Sequence, residues 1–342
     1  MLQQPGAKKP RAVCALDFDQ PGTQVGEIRV AHSDDEYVYG FGVPIAVIAN
    51  GTGPTVLLIS GNHGDEYEGQ IAFRRIILEQ DPHTIRGRLI IIPALNYPAM
   101  LAQKRVSPLD KGNMNRAFPG DPDGGPTSVL AHYVDSVLLP LCDAGLDLHS
   151  GGFASEFVPC AFVRKNGNDP LLDKKIELSR AFGAPWSIVV DGAGEDRSLL
   201  ASADRRGVPM ISTELGGGGT VELTALAFAF AGTNRVLQHL NVVGPPTESA
   251  PPTRFAFYRD TKSFVIAPAR GIFEPYCRLG DEVKAGQPAG RLYPLDEPER
   301  QAVTINFATD GIVICRRVPA VAARGEYLLQ LAREVSEAEV RR

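Results

Sequence analysis

The chain has 342 residues, 44% of them hydrophobic and 22% charged, with a formal net charge of −5. That length and composition fit a globular protein of one or two domains. The acidic balance argues against a nucleic-acid partner, and no apolar run reaches the ~18 residues of a membrane span. Five scattered cysteines, with no Cys-x-x-Cys pair, predict unpaired thiols in a reducing cytoplasm. Residues 1–11 are polar and basic without an apolar core, so they read as a loose tail and not a secretory leader.

Residues 1–24 are expected to form the N-terminal tail. Residues 25–30 and 37–49 have the β-branched and aromatic content of strands, parted by a turn at Ser33-Asp34-Asp35. Pro44 marks the second as an edge or bulged strand. After a glycine turn, residues 55–59 form a short apolar run that reads as a buried strand. Gly61 and Gly64 break it. A helix follows from Glu66, with Ile71, Phe73, Ile76, Ile77 and Leu78 as its apolar positions. Residues 88–93 are almost wholly apolar, as in a sheet covered on both faces.

Residues 96–126 are a long loop rich in glycine and proline. Loops of that length are functional or disordered, and Leu109, Met114 and Phe118 can pin this one, which favours function. Thr127 is the expected N-cap of a helix reaching residue 139, and 146–149 is the next strand. Strands at 158–164 and 186–190 flank a helix at 171–182. A short helix (198–206) and a buried strand (208–213) lead to Glu214 and glycines 216–219, then to an alanine-rich helix at 221–240. This alternation predicts an α/β domain over residues 25–243, with a mixed sheet flanked by helices. Residues 244–252 read as a proline-rich linker. Beyond it, residues 253–342 show short strands and turns, the pattern of a small all-β, barrel-like domain.

His63 and Glu66 sit on the turn between the strand at 55–59 and its helix. Imidazole and carboxylate both hold zinc, and a tight turn can aim both at one point. A catalytic zinc needs a third protein ligand, and His149, ending another apolar run before Gly151-Gly152, is the candidate. Two such strand ends can meet at the carboxyl edge of one parallel sheet, where open α/β sheets place ligands. On bare chemistry the trio stands evenly between a metal site and solvated turn residues. Glu214 stands between a proton-transfer partner for that metal and an N-cap of the next helix. Arg116 suits a substrate carboxylate, or pairs with Asp110 or Asp121. Arg105 suits a developing oxyanion, or is a solvated loop charge.

Gly61-Asn62-His63-Gly64-Asp65-Glu66, Asn113-Met114-Asn115-Arg116-Ala117-Phe118-Pro119-Gly120, Asp147-Leu148-His149-Ser150-Gly151 and Thr213-Glu214-Leu215-Gly216 together resemble the succinylglutamate desuccinylase/aspartoacylase family. That family belongs to the zinc carboxypeptidase-like superfamily. The four motifs occur in the family's order and span almost the whole first domain. The resemblance implies a zinc carboxypeptidase-like fold followed by a C-terminal β-domain. It implies one zinc per chain, held by His63, Glu66 and His149, with Glu214 as general base and acid. It also implies Asn115 and Arg116 as groups for the substrate carboxylate. Arg105 resembles a second family arginine that steadies the oxyanion, at a different loop spacing.

Within the family, residues 64–69 and 108–113 resemble those of ectoine-degradation deacetylases, which hydrolyse N-alpha-acetyl-L-2,4-diaminobutyrate to acetate and diaminobutyrate. Such a substrate carries an ammonium, and Glu156, Asp191 and Glu195 near strand ends are candidates to meet it. The expected partner is therefore a small N-acyl amino acid, with neither nucleic acid nor membrane, and the family often forms homo-oligomers. A peptide-cleaving carboxypeptidase is the rival within this chemistry. A carrier protein is the rival outside it: residues 279–287 resemble half of a lipoyl/biotinyl barrel, but residues 293–307 hold no acceptor lysine.

Overall fold

Apolar runs punctuated by glycine turns build one large mixed sheet. The computed structural model describes residues 10–31, 40–245, 249–257 and 261–342. The turn expected at 33–35 lies outside the described residues, as do 1–9, 37–39 and 246–248 of the expected tail, strand and linker.

In chain order the elements of the first part are β1 (Ala12–Cys14), β2 (Gly22–Val30), β3 (Phe41–Asn50), β4 (Thr55–Ser60), α1 (Glu68–Glu79), β5 (Gly87–Ile92), α2 (Tyr97–Leu101) and α3 (Pro126–Tyr133). Then come β6 (Ala144–His149), β7 (Ser155–Lys165), α4 (Leu172–Phe182), β8 (Trp186–Asp191), α5 (Leu199–Arg206), β9 (Met210–Gly217) and α6 (Leu223–His239). The C-terminal part adds β10 (Arg254–Phe257), β11 (Phe264–Ile266), β12 (Gly271–Pro275), β13 (Glu282–Val283), β14 (Pro288–Pro294), β15 (Val303–Asn306), β16 (Gly311–Arg317), β17 (Val321–Ala322), β18 (Tyr327–Val335) and α7 (Glu337–Val340).

The main sheet runs β1-β2-β3-β5-β4-β6-β9-β7-β8-β10-β18-β16-β13. β5, β4, β6 and β9 are mutually parallel neighbours. β4 lies between β5 and β6, so the chain order reverses direction there. The crevice at such a switch point is where open α/β sheets bind ligands.

Alternation explains the apolar runs of β4 and β5. Val56, Leu58, Leu89 and Ile91 enter one core with α1, α4 and α6. Leu57, Ile59, Ile90 and Ile92 enter a second core on the opposite face, with α3 and α5. A strand buried on both faces reads as a near-continuous apolar run.

The differences from the sequence reading have local causes. Ala12–Cys14 pairs antiparallel with β2, so regular structure begins within the stretch read as tail. Leu78 is 84% exposed, because it falls off the face that Phe73 and Ile76 bury. Thr127 is not the N-cap of α3; Gly125 holds that place, with Pro126 in the first turn. The carboxylate capping α6 is Glu222, which accepts from the Thr224 and Ala225 amides, and not Glu214. β12, β14, β15 and β17 form a separate four-stranded sheet over an apolar cluster that includes Phe273, Leu292, Phe307 and Leu331. β10, β16 and β18 hydrogen-bond into the main sheet, and β16 also pairs with β7.

One polar tie under the second core joins α5 to the π-helical turn Val134–Leu138 that continues α3. Asp135, 4% exposed, accepts from Ser202 Oγ at 2.6 Å and is paired with Arg206. Burial pushes the Asp135 carboxyl up, but Arg206 and Ser202 outweigh it and hold it below the ordinary range. A depressed carboxylate pKa contributes stability above the unfolded value, ~3.9, that is lost as pH falls through the folded value. Arg206 is half-exposed, which limits the effect to about 1 kcal/mol. Asp135→Asn is therefore expected to lower Tm by a few degrees at pH 7, the gap closing below about pH 4. Thermal unfolding of both proteins at the two pH values checks this; a gap independent of pH would contradict it.

Candidate metal centre and active site

His63 and His149 leave the carboxyl ends of adjacent parallel strands, β4 and β6. The turn after β4 needs its glycines. Gly61 has φ +66°, and a Cβ on Gly64 would lie 2.1 Å from the Ala99 carbonyl carbon. With that turn closed, Glu66 enters the site just before α1. Its Oε1 lies 2.6 Å from His63 Nδ1 and its Oε2 2.8 Å from His149 Nδ1. One ligand atom from each residue falls within 4.8 Å of the others, and all three residues are buried.

The far sides of both rings are already engaged. His63 Nε2 is 3.2 Å from Asn113 Oδ1, and His149 Nε2–H donates to Asp147 Oδ2 at 3.0 Å. Asp147 is held in turn by Asn62 Nδ2 at 2.7 Å. Outer bonds of this kind fix ring orientation and turn each Nδ1 towards Glu66, the arrangement by which protein metal sites are supported. Charge agrees. Burial opposes ionisation of Glu66, yet the two imidazoles outweigh it and hold its carboxyl well below the usual range. Burial likewise opposes charge on His149, yet Asp147 and Glu66 raise its pKa well above the ordinary value. A field that stabilises positive charge on this imidazole also suits a cation between the ligands. Two imidazoles, one carboxylate and supported rings fit a catalytic zinc donor set.

Glu214 stands directly opposite His149 in the β6–β9 register. Its Oε2 is buried without a hydrogen-bond partner. Burial raises the Glu214 pKa well above its ordinary value, with Glu66 adding to the rise and His149 and Arg105 opposing it. A buried acid with a raised affinity for its proton is a group suited to acid–base work.

A cavity of about 240 Å³ is lined by His63, Arg105, Asn115, Arg116, His149 and Glu214 among others. Glu66 lies against it through its contacts to both histidines. All seven sequence-derived residues therefore converge. Arg105 is half-exposed and donates to Glu66 Oε1 at 3.3 Å. Arg116 is exposed, and its guanidinium bonds only the Asn115 carbonyl, at 2.6 Å, among the described residues; it is paired with neither Asp110 nor Asp121. Asp110 is instead turned to the Thr127 amide and hydroxyl. Asn115 also holds structure, since its Oδ1 accepts from the Leu199 amide at the start of α5. Of the ammonium candidates, Asp191 and Glu195 line the cavity, whereas Glu156 is turned to Arg316.

Sequence reasoning missed Asp147 and Arg164. Asp147 had a readable signal: it lies two residues before His149, hence on the same strand face, in an otherwise apolar run. Arg164 lies next to the end of β7 with no motif around it, and only the packed loop reveals its partners.

A buried His-Glu-His centre, with an acid beside it, at the carboxyl edge of a mixed α/β sheet defines a protein with the donor set of a metal-dependent hydrolase. Residues 52–240 match the succinylglutamate desuccinylase/aspartoacylase catalytic domain, and the chain belongs to that family of hydrolases. It is 36% identical over 338 residues to the N-alpha-acetyl-L-2,4-diaminobutyric acid deacetylase of Halomonas elongata, covering 98% of this chain and 99% of that protein. The crystal structure of a succinylglutamate desuccinylase/aspartoacylase from Rhodobacter sphaeroides is 35% identical, with a TM-score of 0.89, covering 96% of this chain and 100% of that one. The product-bound ectoine utilization protein EutE (DoeB) from Ruegeria pomeroyi is 34% identical, with a TM-score of 0.91, covering 95% and 100%.

Proposed function

We propose that this chain is a zinc-dependent amide hydrolase that removes acetyl from N-alpha-acetyl-L-2,4-diaminobutyrate, giving acetate and diaminobutyrate. The carrying observation is the convergence of His63, Glu66, His149 and Glu214 on one small cavity. The full-length similarity to the Halomonas deacetylase supports the substrate. A volume of about 240 Å³ supports a small substrate over a peptide, being below the ~300–1,000 Å³ of most ligand pockets.

In this reading His63, Glu66 and His149 hold one zinc. A zinc bound there would supply Lewis-acid polarisation of the acyl carbonyl and would lower the pKa of water from ~15.7 towards ~7. Glu214 takes a proton from the attacking water at its unpartnered Oε2 and passes it to the leaving nitrogen. Arg116 receives the substrate carboxylate through its guanidinium, with the Asn115 amide beside it. Arg105 faces the oxyanion. Residues 25–243 are the catalytic unit. Residues 253–342 are joined to it through the β7–β16 pairing and the Val318 amide on the Ala154 carbonyl.

The working form is a cytoplasmic homo-oligomer. The five unpaired cysteines are in keeping with that compartment. No helix among the described residues is long and apolar enough to cross a membrane.

A panel of N-acyl amino acids and dipeptides, assayed with and without chelator, tests the proposal. Acetyl-diaminobutyrate is expected to have the highest kcat/KM, lost on chelation and restored by zinc. Faster cleavage of dipeptides, or activity indifferent to chelation, would overturn it.

A further inference from the structure

One wall of the cavity is the loop between β8 and α5, which contributes Asp191, Gly192, Glu195 and Ser198. It is clamped from beneath by Arg164, whose side chain is 4% exposed. Arg164 Nη2 donates to the Gly192 carbonyl at 2.9 Å and the Glu195 carbonyl at 2.8 Å, while Nη1 donates to Asp204 at 2.6 Å. Gly192 lies so flat on the guanidinium that a Cβ there would meet Arg164 Cζ at 2.6 Å. Lys175, fully buried, completes the anchor. It donates to the Arg164 carbonyl at 3.0 Å and to Asp169 at 2.8 Å, and is paired with Asp204. Arg164 and Lys175 are thus ion-paired within the anchor, with Asp169, Asp204 and the more exposed Asp196.

The loop's own acids are not balanced. Asp191 Oδ1 accepts from the Ala193 amide at 3.0 Å and Glu195 Oε1 from the Arg197 amide at 3.1 Å. These bonds orient each carboxylate and leave its second oxygen open. Neither acid is ion-paired among the described residues. Two buried polar atoms without protein partners, Arg164 Nε and Glu214 Oε2, belong to residues lining the same cavity. A polar ligand is what completes such a site. Arg105 and Arg116 reach the cavity from the segment before α3, and the two acids reach it from the segment before α5. A zwitterion with its cation turned to the acids matches that division, and an ammonium offers three donors to carboxylate oxygens.

We propose that Asp191 and Glu195 are specificity-determining residues that receive the side-chain ammonium of an acylated diamino acid. Arg164 is the positioning residue that fixes their loop. The inference rests on the deacylase reading and extends it to the substrate's cationic end.

The test compares N-acetyl-2,4-diaminobutyrate with N-acetyl-2-aminobutyrate, which has the same carbon chain and no ammonium. The wild type is expected to favour the cationic substrate. In the variant D191N/E195Q the ratio of the two kcat/KM values is expected to fall about tenfold or more, through KM for the cationic substrate, since charged hydrogen bonds are lost. Arg164→Lys is expected to raise the same KM with kcat less affected, because an ammonium cannot hold both loop carbonyls and Asp204 in the guanidinium's planar geometry. An unchanged ratio in D191N/E195Q would overturn the assignment. A fall in kcat alone in Arg164→Lys would overturn the positioning role. Hydrolysis of both acetylated compounds by the wild type without preference would overturn this inference alone, whereas hydrolysis of neither would overturn the deacylase reading beneath it.

Discussion

Glu214→Gln is expected to lower turnover by about 10²- to 10⁴-fold while zinc content stays at the wild-type level. The substitution keeps the volume and shape of the side chain and removes only its ability to exchange a proton. Glu214 is not one of the three clustered ligand residues, so the donor set is untouched. Its backbone stays registered opposite His149 on β9, so the variant's geometry is preserved. The unpartnered Oε2 is where the proton must rest, and burial with Glu66 nearby is what raises its affinity for one. Steady-state kinetics and metal analysis on the same preparation check the prediction. Near-wild-type turnover with zinc retained would remove Glu214 from the chemistry.

His149→Ala is expected to act on the metal itself. The outer hydrogen bonds of metal sites are worth roughly 10- to 100-fold in affinity, and deleting a ligand exceeds that. The change also removes the bridge between Glu66 and Asp147, which bond opposite sides of the ring at 2.8 and 3.0 Å. Two buried carboxylates are then left without their shared cation or imidazole, so stability falls as well. Zinc content below about one tenth of wild type, with activity at background, is the expected result. Separate measurement of Tm shows how much of the loss is folding. A variant that kept its metal would place the ion elsewhere.

The residues gathered at the proposed centre were legible because each sits where a pattern changes. His63 and Glu66 follow the apolar run of β4 at a glycine turn, His149 ends β6, and Glu214 stands where the apolar core of β9 meets its glycines. An apolar run that stops at a ligand-type residue is visible in one dimension. What one dimension hides is pairing. The meeting of β4, β6 and β9 is set by sheet order, and nothing local distinguishes it from the alternatives. The same limit applies to Arg164, whose partners Gly192, Glu195 and Asp204 come from segments 28 to 40 residues away. It applies to β18, which reads as a piece of a separate barrel yet joins the main sheet through β10, itself paired with β8. Asn115 shows a further blind spot. The family motif marks it for substrate, and only packing reveals that its carbonyl also holds the first turn of α5.

Asp147 shows the converse, a signal present but unread. A carboxylate in the middle of a strand buried on both faces needs a partner, because an unpaired charge there costs several kcal/mol. Its strand-mate two positions on is His149, and the pair explains itself once that face is considered.

The most direct measurement is anomalous diffraction at the zinc edge from crystals of the purified, active protein. The account predicts one peak per chain, about 2.0–2.2 Å from His63 Nδ1, His149 Nδ1 and a Glu66 oxygen. A fully active protein with no peak at these three side chains, or with its ion bound elsewhere, would contradict it.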